Sequence, residues 1–224
     1  MSLWDLVESP QTKNGINGVV VGIVTNNKDP EKLGRVKVKY PWLSEKEESN
    51  WARIASPMAG IERGIFVLPD VDDEVLMVFE HGDINRPYIV GSLWNGKDKP
   101  PETNSDGKNN IKIIKSRTGH TIKIDDTEGE EKIEIVDKTE GNKITIDSAN
   151  NKISIVSGGD IDLLASDGKI TIDATEIEIK SSIKIKTKDL EVKPSGAAKI
   201  EASGQMDLKT SAVMNIKGST VNIN

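Results

Sequence analysis

From Ile111 to the C-terminus the chain reads as a near-continuous series of short strands. Each carries two apolar residues two positions apart: Ile111/Ile113, Ile122/Ile124, Ile133/Ile135, Ile144/Ile146, Ile153/Ile155, Ile161/Leu163, Ile170/Ile172, Ile177/Ile179, Ile183/Ile185, Leu190/Val192, Ile200/Ala202, Met206/Leu208, Met214/Ile216 and Val221/Ile223. Lys, Asp, Glu, Thr, Ser and Asn fill most of the positions between them, and the step from one pair to the next is 11 residues at first and then mostly 6 to 9. Alternation puts each apolar pair on one face of its strand and the polar residues on the other. A rung with only two apolar side chains cannot close a two-sided core within one chain. A single-chain parallel β-helix has longer coils with an internal stack of side chains. Three chains winding together close the same narrow core with one wall each, and stacking then buries a continuous interior that no rung could bury alone. The expectation for residues 111–224 is an intertwined homotrimeric, triple-stranded β-helix that does not fold as an isolated monomer.

The rest of the chain has different chemistry. All eight aromatic residues (Trp4, Tyr40, Trp42, Trp51, Phe66, Phe79, Tyr88 and Trp94) precede residue 95, and only one of the nine prolines, Pro194, follows Pro101. A thin three-walled tube has room for Ile, Val and Met but not for Trp. The segment Asn95–Gly107, with its Gly, Pro, Asn and Asp, is linker-like. These shifts divide the chain into an N-terminal arm (1–14), a compact β domain (15–95), a linker (96–110) and the strand ladder (111–224).

In the β domain, strands are expected at Gly18–Val24, Arg35–Tyr40, Trp51–Ala55, Gly64–Leu68, Glu74–Phe79 and Pro87–Gly91, with a loop over Asn26–Gly34 and a turn at His81-Gly82-Asp83. Five or six short strands without a convincing helix suggest a small Greek-key barrel of the OB type, so the whole chain is expected to be all-β. In the arm, Leu3, Trp4, Leu6 and Val7 fit either a short helical turn or an extended segment.

Charge and composition narrow the function. The net charge is −6, and residues 1–108 carry 13 Lys and Arg against 17 Asp and Glu. That field disfavours a nucleic-acid partner, so Trp42 and Trp51 read as core or partner-contact aromatics rather than base-stacking platforms. The absence of cysteine excludes disulfides and thiolate metal sites. There is no signal-peptide h-region and no run of 18 apolar residues, so neither Sec export nor a membrane span is expected. The two histidines, His81 and His120, lie in turn-like segments far apart, which leaves no nucleophile–base pair. The cluster Asp70, Asp72, Asp73, Glu74 lacks the spacing of a calcium loop, and Gly158-Gly159-Asp160 occurs once without repeating, so both read as turns. No catalytic, cofactor-binding or metal-binding residue is expected.

At this point the first half resembles a known family. Gly34-Arg35-Val36-Lys37-Val38-Lys39-Tyr40-Pro41-Trp42-Leu43 resembles a strand and its exit in the OB domain of contractile-tail spike proteins, and Trp51-Ala52-Arg53 is similar to the next strand. Val71-Asp72-Asp73-Glu74-Val75 resembles a turn that in the family carries Gly where Asp72 stands, so a less tight turn is expected here. The most specific piece runs from His81-Gly82-Asp83 through Arg86-Pro87 to Gly91-Ser92-Leu93-Trp94-Asn95, and Thr118-Gly119-His120 is similar to the start of the family's needle. The group is that of phage baseplate protein V, tail spikes and VgrG. The resemblance implies a trimeric, non-enzymatic central spike that joins a baseplate hub to the tip of a phage tail or related contractile injection particle and punctures the target envelope.

No hub-like segment precedes residue 15, so the hub is expected to be a separate chain, and no lysozyme-like insertion precedes the ladder. The last rung has no His-x-His metal tip. It is expected to offer Met214, Ile216, Val221, Asn222, Ile223 and Asn224 to a PAAR-type cap protein. The competing reading is a trimeric β-helical fibre or adhesin that binds a surface ligand.

Overall fold

A computed structural model describes residues 15–222. The expected arm (1–14) and the last two tip residues, Ile223 and Asn224, lie outside the described residues. Regular structure among the described residues is β throughout, apart from one short 3-10 turn at Glu80–Gly82. No helix among them is long and apolar enough to cross a membrane. The chain divides into two compact units, 1–162 and 163–224.

In the first unit, eight strands build the OB-type domain: β1 (Val20–Asn26), β2 (Lys37–Tyr40), β3 (Ser44–Glu48), β4 (Arg53–Ile54), β5 (Ala59–Gly60), β6 (Arg63–Gly64), β7 (Glu74–Phe79) and β8 (Pro87–Ser92). Six form one curled sheet in the order β3-β2-β1-β7-β8-β4, while β5 and β6 form a separate hairpin. All neighbours in the six-stranded sheet are antiparallel except β4 and β8, whose parallel pairing sets Arg53 opposite Tyr88 and Ile54 opposite Ile89. The inward face follows directly from alternation. Val75, Met77 and Phe79 on β7 meet Val24, Val36, Val38, Tyr40, Ala52 and Ile89 in a single buried core. At Gly22 a Cβ would lie 2.7 Å from the Met77 sulfur, so β1 needs glycine there for Met77 to fill the centre.

The long β1–β2 loop is pinned by charge. Arg35 Nε and Nη2 donate to the two Asp29 carboxylate oxygens at 2.8 Å each, and Nη2 also pairs with Glu31 at 3.1 Å. The guanidinium, with the Glu31 and Leu33 amides, holds the Asp29 carboxyl far below its ordinary range. It does so against the opposing effect of burial.

Several expected boundaries are corrected. Gly18 takes φ +109, so β1 starts at Val20, and pairing of Asn26 with Lys37 past a bulge carries it on to Asn26. The expected strand Arg35–Tyr40 keeps ladder pairing over Lys37–Tyr40 and the expected strand Trp51–Ala55 over Arg53–Ile54, with Val36 and Ala52 joined by an isolated bridge. The expected strand Gly64–Leu68 is not one. β4 already occupies the open side of β8, and only Gly64 of that run pairs, with Ala59. β3 was not expected, because its sequence Ser-Glu-Lys-Glu-Glu has no apolar alternation. It is a charged edge strand, a common way to keep a sheet edge from recruiting other strands. The turn at Asp70–Asp73 is closed rather than loosened. Asp72 itself adopts φ +77, its N–H donates to Val24 O at 2.9 Å, and Asp73 N–H donates to Asp70 O at 3.2 Å.

The first five rungs form a five-stranded antiparallel meander in chain order: β9 (Ile111–Lys115), β10 (Thr121–Asp125), β11 (Lys132–Val136), β12 (Lys143–Asp147) and β13 (Lys152–Val156). The 11-residue step is a five-residue strand plus a six-residue turn. Aspartates at strand ends or just beyond hold these turns. Asp125 accepts the Thr127 hydroxyl at 2.6 Å, and Asp137 accepts both the Thr139 hydroxyl and the Asn142 side-chain amide. Asp147 accepts the Asn150 amides, next to Asn151 at φ +51.

In the second unit, residues 163–222 form turns and bends with no strand or helix, and the described hydrogen bonds are local, such as Gly168 N–H to Ala165 O. Its charges pair at i,i+2, as in Lys180–Glu178 and Lys193–Glu191. Its apolar pairs, from Ile170/Ile172 to Met214/Ile216, are exposed.

Candidate functional site: an isoleucine wall beside the OB domain

The registers of the meander stack its apolar residues into two rows on one face. The upper row runs Ile114–Ile122–Ile135–Ile144–Ile155, and the lower row runs Lys112–Ile124–Ile133–Ile146–Ile153. This corrects the expected first rung. Thr121 pairs with Lys115 across a five-residue turn, which sets Ile113 opposite Lys123 and Ile111 opposite Asp125. Ile111 and Ile113 therefore lie on the polar face, and Ile114 is the β9 residue that joins the wall. A one-residue shift in register exchanges the faces of a strand, and the run Ile-Lys-Ile-Ile-Lys fits both settings.

The wall is open in the single chain. Its nine isoleucines range from 39% exposed at Ile133 to 72% at Ile114. The upper row lines a groove of about 830 Å³, to which Val67 of the OB domain also contributes. Contiguous apolar surface of this kind marks an interaction site rather than a solvated face.

The opposite face is polar and internally paired. Lys143 Nζ lies 2.7 Å from Glu134 Oε1, Lys132 flanks the same carboxylate, and Lys123 meets Asp125 at 3.1 Å. The Lys143 ammonium, foremost, holds the Glu134 carboxyl below its ordinary value. The Thr127 hydroxyl, followed by Lys123, lowers buried Asp125 to about 2 despite desolvation. The sheet thus has one face whose charges pair within the chain, with the buried Thr145 hydroxyl left without a partner, and one apolar face that is open.

The two halves of the first unit meet where Arg117, in the β9–β10 turn, pairs with Asp70 at 2.9 Å. His120 accepts the Lys138 N–H at its Nδ1, which joins two neighbouring turns. His81 sits in the 3-10 turn at φ +53. Trp51 carries Arg35 and Lys37 beside its ring at 6.0 and 5.7 Å, whereas Trp42 is exposed. Among the described residues no group of three or more His, Asp or Glu side chains is gathered to hold a metal ion. The tip residues Met214, Ile216, Val221 and Asn222 are exposed in the second unit, outside any strand or helix.

Residues 20–94 match the family described as the type VI secretion system/phage-baseplate injector OB domain. Among similar proteins is the type VI secretion system spike protein VgrG1b of Pseudomonas aeruginosa, 33% identical over 100 residues, which cover 43% of this chain and 13% of that protein. The type VI secretion system spike protein VgrG3 of Vibrio cholerae is 23% identical over 172 residues, covering 73% of this chain and 16% of the relative. The actin cross-linking toxin VgrG1 of Vibrio cholerae is 29% identical over 102 residues, covering 42% of this chain and 9% of the relative. The chain thus spans between 9% and 16% of the length of these relatives. Over residues 20–94 the curled sheet is thus similar to the injector OB domain of type VI secretion systems and phage baseplates, and the chain is similar to spike proteins of the VgrG type.

Proposed function

We propose that this chain is the structural central spike of a contractile phage tail or phage-tail-like injection particle, and that it acts as a homotrimer and not as an enzyme. The observation that carries this reading is the two-row isoleucine wall, left open in one chain beside a polar face that is already paired. Three copies placed wall to wall close a thin apolar interior and keep their charged faces outward. The backbone of residues 163–222, with exposed apolar pairs and no strand ladder of its own, gains its hydrogen-bond partners from the other two copies as the chains wind into a β-helix.

The function then follows from mechanics. A tube with a continuous hydrogen-bonded wall and a dry core resists bending along its axis, and the paired charges keep its surface soluble. The OB domain (15–95), followed by the linker (96–110), sits on a separate baseplate hub protein. The ladder (111–224) points forward and is driven through the target envelope. Met214, Ile216, Val221, Asn222, Ile223 and Asn224 form the platform for a PAAR-type tip protein.

Sedimentation at micromolar concentration tests the assembly. The expected mass is three times the 24.4 kDa of the chain. A monodisperse folded monomer would overturn the reading. A chain truncated after Val213 is expected to lose capture of the tip protein, and retained capture would remove residues 214–224 as the platform.

A further inference from the structure

The segment Ser56–Pro69 is a second apolar surface, of which only Leu68 packs against the OB core. It holds Met58, Ile61, Ile65, Phe66, Val67 and Leu68 but only two charges, Glu62 and Arg63. Ile61 is 93% exposed, and Phe66 and Val67 are each 77% exposed. The segment is nevertheless a built element. β5 and β6 pair, Ile65 N–H donates to Met58 O at 3.0 Å, and the Ser56 hydroxyl lies 2.7 Å from Ile65 O. Gly64 adopts φ +149, where a Cβ would lie 2.6 Å from Met58 O, so the hairpin admits only glycine there. The Phe66 ring rests against Gly34 closely enough that a Cβ on that residue would be 3.2 Å away.

We propose that this arm, Met58–Val67, is a strap that packs across the upper isoleucine row of a second copy of the chain. The proposal rests on the three-copy reading above and assigns to it a specific contact. Two features single out a second copy as the occupant. The arm's apolar surface is continuous with the wall, because Val67 lines both the arm's own groove and the groove over Ile122, Ile135 and Ile144. An interface that covers the wall therefore runs on to the arm. The reach is sufficient: six residues separate Val67 from Ile61, about 20 Å when extended, against the roughly 10 Å between packed sheets.

The chain contains no cysteine, which makes the test direct. Ile61→Cys is combined in turn with Ile144→Cys, Ile155→Cys or Ser157→Cys in the full chain. Mild oxidation is expected to give covalent dimers and trimers on a non-reducing denaturing gel in at least one pairing, and reductant is expected to collapse them. In parallel, Ile61→Asp with Phe66→Asp is expected to raise the concentration needed for assembly by at least tenfold, with the near-ultraviolet signal of the OB aromatics retained. A trimeric mass with no interchain disulfide in any pairing overturns the strap and leaves the trimer standing. A monomeric mass before any cross-linking overturns the three-copy reading itself.

Discussion

Arg117 and Asp70 meet at 2.9 Å, joining the first turn of the ladder to the loop that precedes β7. The pair bridges two halves of the first unit that differ in composition, but both partners are open to solvent, Arg117 at 77% and Asp70 at 46%. Water screens such pairs, and measured couplings fall below about 1 kcal/mol. A double-mutant cycle with Arg117→Ala and Asp70→Ala is expected to return a coupling under that figure that shrinks further in high salt. A larger coupling would mean that the pair becomes buried on assembly.

Asp72 occupies a left-handed backbone position, φ +77, in a turn that both flanking backbone hydrogen bonds keep closed. That conformation costs an ordinary L-residue roughly 1–2 kcal/mol, less for Asp, while glycine forfeits roughly 0.5–1 kcal/mol of unfolded-state entropy. Asp72→Gly is therefore expected to stabilise the domain by about 0.5 kcal/mol, measured by urea denaturation. Asp72→Val is expected to destabilise it by more, because a β-branched side chain tolerates the position least.

The same residue shows where reading the sequence works and where it stops. β7 is recovered end to end from the apolar run Val75–Phe79 after Glu74, because an uninterrupted apolar run of strand length between turns marks a buried strand. The wall over β10–β13 is legible from the alternation of its Ile-x-Ile pairs, reinforced by the 11-residue steps up to β12. Three features are not legible. β3 is a run of charges whose pairing depends on the neighbouring edge of β2 and not on its own pattern. β9 has three isoleucines in four positions, so only the length of the following turn decides that Ile114 faces the wall. The run Ile65–Leu68 looks like a strand in sequence, but β4 has already taken the sheet edge beside β8.

The acid end of the stability profile is set by the turn aspartates. Asp125 and Asp137 are each lowered from 3.8 to about 2, foremost by the hydroxyls of Thr127 and Thr139 respectively. A depressed carboxylate contributes stability that is complete above its ordinary value and is lost as pH falls through its folded value. The meander is expected to lose this contribution between about pH 4 and pH 2. Carboxyl NMR titration is expected to place both groups well below 3.8, and Thr127→Val to raise Asp125 alone. An unshifted Asp125 in the unaltered chain would contradict the turn geometry.

The wall itself makes the sharpest prediction, because its two faces call for opposite responses to the same chemical change. Ile135 has Ile122 and Ile144 as its cross-strand neighbours and sits in the middle of the upper row. A carboxylate there remains solvated in a single chain but must be desolvated without a partner if three walls close on one another, a cost of several kcal/mol per ion. Ser154, on β13, faces the polar side opposite Thr145. Ile135→Asp is expected to shift the protein from the three-chain mass toward the monomer, with the OB core of Val24, Val38, Val75 and Met77 still folded. Ser154→Asp is expected to leave the mass unchanged. Sedimentation reads the mass, and tryptophan fluorescence reports the OB domain, since Trp4, Trp42, Trp51 and Trp94 all precede the ladder. If both variants keep the wild-type mass, the isoleucine face is not the surface that joins the chains.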